Sequence, residues 1–142
     1  MRKKSTDELL SDLMTQANFD AYLSGSQSSF SSTNDLVALL TVLQKKCSTP
    51  KAVLARNAGM SEVYLYQVLS GRRRPSRDRL LCLCIGMGAT LEETQNILKH
   101  AVYAQLYLKH RRDAIISYGI VHHVGLSAIN DKLFDENEKT LS

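Results

Sequence analysis

Residues 51–76 read KAVLARNAGMSEVYLYQVLSGRRRPS, and the spacing of small, turn and apolar residues here decides the fold. Two short helices that cross closely need a small residue at the crossing, a turn residue after it and an apolar anchor further on. Ala55, Gly59 and Leu65 stand at those places, four and six residues apart. Gly59 is free to take the positive φ that a sharp turn requires. Ser61 can cap the helix that follows, which runs to about Leu69 with Gly71 just past its end. The stretch therefore predicts two helices joined by a tight turn, with Arg72, Arg73 and Arg74 directly after the second.

Working outward, Asp35 to Lys46 places Leu36, Leu39, Leu40 and Leu43 on one helical face and ends in lysines that suit a helix C-terminus. Thr49 is expected to cap the next helix, with Pro50 at its first position, where a missing N–H costs nothing. Pro75-Ser76 opens a fourth helix carrying Leu80, Leu81, Leu83, Cys84 and Met87, which Gly86 and Gly88 are expected to stop. Thr90 and Glu93 form a capping box for a fifth, with Leu91, Thr94, Ile97, Leu98 and Ala101 facing inward.

Both flanks are also helical in pattern. Ser5-Thr6-Asp7-Glu8 has the form of a capping box, and Leu9, Leu10, Leu13 and Met14 follow at helical spacing to about Ala17. Residues 24–34, SGSQSSFSSTN, read as a linker. Two further short helices are expected over Arg112–His123 and Ser127–Phe134, followed by an acidic tail that should fray. No alternating strand pattern persists, so the fold class is all-α. The expected divisions are 1–23, a helical segment; 24–34, a linker; 35–104, a five-helix domain; and 105–142, a helical extension.

The chain has 142 residues, 44% of them hydrophobic, which is enough for one domain with a core plus accessories. Its net charge of +4 is unevenly placed. Between Lys45 and Arg79 nine cations face only Glu62 and Asp78, so this window carries +7 and the remainder −3. No apolar run approaches the roughly 18 to 20 residues that span a bilayer, and the start, MRKKSTDE, is no apolar leader. A cytoplasmic protein without a membrane segment is the expectation, and its three cysteines fit reduced structural thiols. Cys82-Leu83-Cys84 lacks the further ligands zinc needs. No His pair completes an HExxH motif and no context makes a Ser-His-Asp triad. Neither catalytic residues, a metal nor a cofactor is expected.

Taken in order, Leu54-Ala55, Gly59, Ser61, Leu65, Ser70-Gly71 and Arg74-Pro75-Ser76 give residues 36 to about 100 a resemblance to the Cro and phage-repressor (XRE-type) helix-turn-helix domains. The resemblance implies a five-helix, lambda-repressor-like domain whose third helix enters the major groove of double-stranded DNA. With Leu65, Val68 and Leu69 turned inward, the candidates for base contact are Ser61, Glu62, Val63, Tyr66, Gln67 and Ser70. Gln67 can pair with adenine, Glu62 can accept from cytosine N4, and Val63 can touch a thymine methyl. Lys51 at the start of the second helix, with Arg72, Arg73 and Arg74, would hold phosphate. The implied function is sequence-specific DNA binding by a prokaryotic or phage transcriptional regulator, acting as a dimer on paired half-sites.

The alternative is a protein-interaction adaptor that keeps the fold and no longer reads DNA. Glu62 is the departure that favours it, since an acid beside phosphates is repelled; Tyr64 and Tyr66 also suit a protein partner. At the end of that domain and beyond it, Tyr103, Leu106, Tyr107, Ile115, Ile116, Tyr118 and Ile120 offer apolar surface that can pair copies, dock a partner or pack back on the domain.

Overall fold

The computed structural model describes residues 6–15 and 33–142. They form eight helices, and no strand occurs among them: α1 (Thr6–Thr15), α2 (Thr33–Cys47), α3 (Lys51–Asn57), α4 (Glu62–Leu69), α5 (Arg77–Gly86), α6 (Leu91–His100), α7 (Arg111–Val121) and α8 (Leu126–Asp135). Two compact units result, Met1–Ser32 and Thr33–Ser142. Of the first, only α1 is described; it carries Asp7 and Glu8 in its first turn, as a helix N-terminus favours. The expected linker lies outside the described residues except at Thr33 and Asn34, which are the first residues of α2.

In the second unit, α5 is the central element. Leu80, Leu81, Cys82, Leu83 and Cys84 are all buried, so this helix is apolar around its whole circumference. Around it α3 packs on α5, α4 on α3 and α2, α6 on α2 and α5, and α8 on α5. Gly86 does not act as the expected stop: it is the last residue of α5, and a Cβ there would stand 3.0 Å from both the Cβ and the backbone N of Ala58. Its role is to let α3 and α5 approach. The stop follows at Met87 and at Gly88, with φ of +67°.

Local capping follows the sequence at three of the four predicted starts within the second unit, while the Ser5–Glu8 box expected ahead of α1 begins outside the described residues. Ser61 Oγ accepts from Tyr64 N–H, Ser76 Oγ from Arg79 N–H, and the Thr90–Glu93 capping box is complete. The start of α3 is a correction. Pro50, extended at φ −56° and ψ 144°, occupies the cap, while the Thr49 hydroxyl donates back to the Cys47 carbonyl at 3.2 Å. A proline cap brings no acceptor side chain, so the first turn of α3 has no side-chain partner.

Nothing in the packing separates residues 105–142 from the domain before them. Leu106, Ile116, Ile120, Ile129, Leu133 and Leu141 belong to the same buried cluster as Leu40, Leu54 and Leu65. Three polar devices hold the extension. Arg77 reaches the carbonyls of Ala104 and Gln105 and pairs with Asp113 at 3.2 Å. Arg112 forms a two-point pair with Asp78 at 3.2 and 3.0 Å. The Gln95 side chain closes on Leu106 from both sides, accepting its N–H at 2.7 Å and donating to its carbonyl at 2.9 Å.

The expectation of a fraying tail is likewise corrected. Asn130 repeats the Gln95 device on Leu141, accepting its N–H at 2.7 Å and donating to its carbonyl at 3.0 Å. Arg112 adds a bond to the Lys139 carbonyl. The leucine side chain is thereby seated in the core, 3% exposed. An acidic tail carrying one apolar residue gains enough from that residue's burial to be ordered.

Candidate nucleic-acid interface

The turn between α3 and α4 is set by Gly59, with φ of +64°. Gly59 N–H bonds to the Arg56 carbonyl and Met60 N–H to that of Ala55, closing the end of α3. Leu65 and Val68 anchor α4 in the core, with Leu69 partly buried beside them. This fixes the outward side of the helix: Ser61, Glu62, Val63, Tyr66 and Ser70 are exposed and Gln67 is half-buried. Val63 is 67% exposed and Tyr66 51%, a large apolar investment in solvent for one short helix. Val63, Tyr66, Gln67, Ser70 and Arg72 together line a shallow groove of about 380 Å³. The structure thus places five of the predicted residues side by side.

Lys51 joins them through space. Its Nζ stands 4.6 Å from the centroid of the Tyr66 ring, a cation–π contact that ties the start of α3 to the outer face of α4. Beyond α4, Gly71 at φ +81° turns the chain, and the N–H groups of Arg72 and Arg73 both reach the Gln67 carbonyl, at 2.9 and 3.1 Å. Both arginine side chains are exposed. Arg73 also lies over Tyr64, with its guanidinium carbon 5.7 Å from the ring centroid.

Arg74 stands apart from its neighbours. Its Nε donates to the Tyr103 hydroxyl at 3.2 Å, its Nη2 to the Ala101 carbonyl, and its guanidinium carbon lies 4.9 Å from the Tyr103 ring centroid. The Tyr103 hydroxyl in turn donates to the Pro75 carbonyl at 2.6 Å. This network closes the C-terminal end of α6 onto the loop before α5, so the arginine run, exposed at all three positions, divides into Arg72 and Arg73 on one hand and a third guanidinium hydrogen-bonded to the fold on the other. A short-range reading of three consecutive arginines cannot distinguish them, because the partner lies 29 residues away.

Arg79 belongs near this surface and was not among the sequence candidates. Its guanidinium carbon is 5.2 Å from the Tyr64 ring centroid, and its Nη1 donates to the Gly59 carbonyl at 3.5 Å. Tyr64 therefore receives two guanidinium groups, which accounts for one of the two tyrosines without a protein partner. Glu62 also has a local explanation. It sits in the first turn of α4, where a carboxylate faces the positive end of the helix.

Around this surface the chemistry is plain. No group of His, Cys, Asp and Glu among the described residues could hold a metal ion. No helix among them is long and apolar enough to cross a membrane. Cys82 and Cys84 are buried; burial pushes the first thiol up to about 11 and the second to about 12, so both are protonated and inert near neutrality.

Residues 35–97 match the family model of the helix-turn-helix domain, from α2 to the middle of α6. This stretch is accordingly a helix-turn-helix domain, of a family associated with XRE-type DNA-binding regulators. No curated protein and no solved structure matches the chain.

Proposed function

We propose that the chain is a sequence-specific double-stranded DNA-binding regulator whose α4 lies in the major groove. The observation that carries this reading is the joining of Lys51, the outer face of α4 and Arg72 in one exposed surface. A helix that shows valine and tyrosine to solvent between flanking cations suits a thymine methyl and base edges, with phosphates on both sides. Lys51, Arg72 and Arg73 position the duplex; Ser61, Glu62, Val63, Tyr66, Gln67 and Ser70 face the bases. One module of this size covers little DNA, so two copies act on half-sites about 34 Å apart, as cytoplasmic transcriptional regulators of prokaryotic or phage type do.

Selection of bound duplexes from a random pool at two salt concentrations tests this. The expected result is an enriched, two-part site and a salt slope that falls by about 0.9 for each phosphate contact removed by substitution. The adaptor reading predicts no enrichment and no salt dependence. Of the residues that favoured it, Glu62 suits the N-terminal turn of α4 and Tyr64 is covered by Arg73 and Arg79, while Tyr66 carries Lys51, and that weighs for DNA.

A further inference from the structure

An apolar recess that shares no lining residue with the groove on α4 lies between α7 and α8. It is a cleft of about 470 Å³ lined by Ala114, Ile115, Tyr118, Gly119, Val124 and Ala128, with Ile129 as part of its floor and almost no polar surface. Gly119 makes its floor possible: a Cβ there would stand 2.5 Å from the Ile129 Cδ1 and Cγ1 atoms. The two helices meet at this point. Tyr118, 64% exposed, forms one wall, its ring stacked against His122 at 4.1 Å between centroids.

The rim is polar on one side only. Arg111 and Lys132 both line the cleft and both pair with Glu136, at 2.7 and 3.3 Å. Two cations against one carboxylate leave net positive charge beside an apolar strip. A flat apolar patch would suit a second protein surface; a concave strip with cations at its rim suits a narrow apolar body bearing a single anionic head. We infer that the α7–α8 cleft binds an aliphatic carboxylate, its head held by Arg111 and Lys132 and its chain laid over Ile115, Tyr118 and Ile129. The head replaces Glu136 as the partner of at least one cation.

Calorimetric titration of the full chain with sodium decanoate, below micelle formation, tests the assignment. Decanol and decyltrimethylammonium serve as head-group controls. The expected result is saturable binding of about one decanoate per chain, with both controls weaker by about tenfold or more, the worth of a charge-assisted hydrogen bond. Ala128→Trp fills the cleft and abolishes binding. Lys132→Glu weakens decanoate by about tenfold and leaves decanol unchanged. Ala128 and Lys132 are exposed, so unfolding temperatures close to that of the parent chain identify folded variants. The assignment is overturned by non-saturable binding, by decanoate binding that survives both substitutions, or by a dimer of this chain that Ala128→Trp dissociates, which would make the cleft an interface between copies.

Discussion

Arg77 Nη2 stands 3.2 Å from Asp113 Oδ2, and this pair links the first turn of α5 to the first turn of α7. Asp113 is 6% exposed and also accepts the Tyr107 N–H at 2.9 Å, so its carboxylate orders the loop between α6 and α7 as well. Asp113→Ala leaves a half-buried guanidinium and a backbone N–H without their acceptor. The expected loss is about 3 kcal/mol of unfolding free energy, read from denaturant unfolding, with a single transition for the second unit in the parent chain. Two well-separated transitions in the parent would show that α7 and α8 are an independent extension.

Arg73 and Arg74 should separate cleanly. Arg73→Ala is expected to reduce the salt slope of duplex binding by about 0.9 and change stability by less than about 0.5 kcal/mol. Arg74→Ala should leave the slope unchanged and cost about 1 to 2 kcal/mol, because it removes hydrogen bonds to Tyr103 and Ala101. The reverse pattern would mean that Arg74 leaves the fold to grip DNA.

Gly59 faces two constraints at once. Its positive φ disfavours a side chain, and a Cβ would also stand 3.2 Å from Leu126 Cδ2 at the start of α8. Gly59→Ala should cost about 1 to 2 kcal/mol from the backbone alone, with a further increment from the contact. Pairing it with Leu126→Ala in a double-mutant cycle isolates that increment; strict additivity would remove the contact from the account.

Thiol labelling should follow burial. Cys47 is half-buried, whereas burial holds the Cys82 and Cys84 thiols at about 11 and about 12. At pH 8 an exposed-thiol reagent is expected to modify Cys47 first and the other two only as fast as the protein unfolds. Labelling of all three at one rate in native buffer would contradict the buried pair.

Acid should weaken the start of α6. The Glu93 carboxylate is held below its usual 4.5 by hydrogen bonding to the Thr90 backbone, with help from Lys46. The unfolded chain binds this proton at higher pH than the folded one. The stabilisation is therefore complete above about pH 4.5 and lost as pH falls through the lowered folded value. Glu93→Gln should flatten the acid limb of the stability profile in that window, and an unchanged limb would assign the acid sensitivity elsewhere.

Much of the fold was legible because its signals are local. The helix periods, the Ser61, Ser76 and Thr90 caps, Gly59 at the turn and the inward face of α4 depend on residues within about one helical turn of each other. Pro50 and Thr49 were misread because two adjacent cap candidates compete and only backbone ψ decides between them. Gly86 was misread because a glycine at a helix end has two uses, ending the helix or admitting a neighbour. The exposed set on α4 followed from spacing, but the contact that ties Lys51 to Tyr66 did not.

The sequence by itself determined an all-helical chain, the turn at Gly59, a recognition-like helix with a defined outer face, and a basic window around it. These follow from backbone preference and periodicity, which act over a few residues. Only the tertiary structure decided how the charges in that window are used. It committed Arg74 to Tyr103 and Arg77 to Asp113, although Arg74 is exposed like Arg72 and Arg73 beside it. It also closed residues 105–142 onto the core and seated Leu141 through Asn130. The reason is range: a guanidinium or a side-chain amide finds its partner across distances in sequence that carry no periodic signal, and burial fixes which partner it keeps.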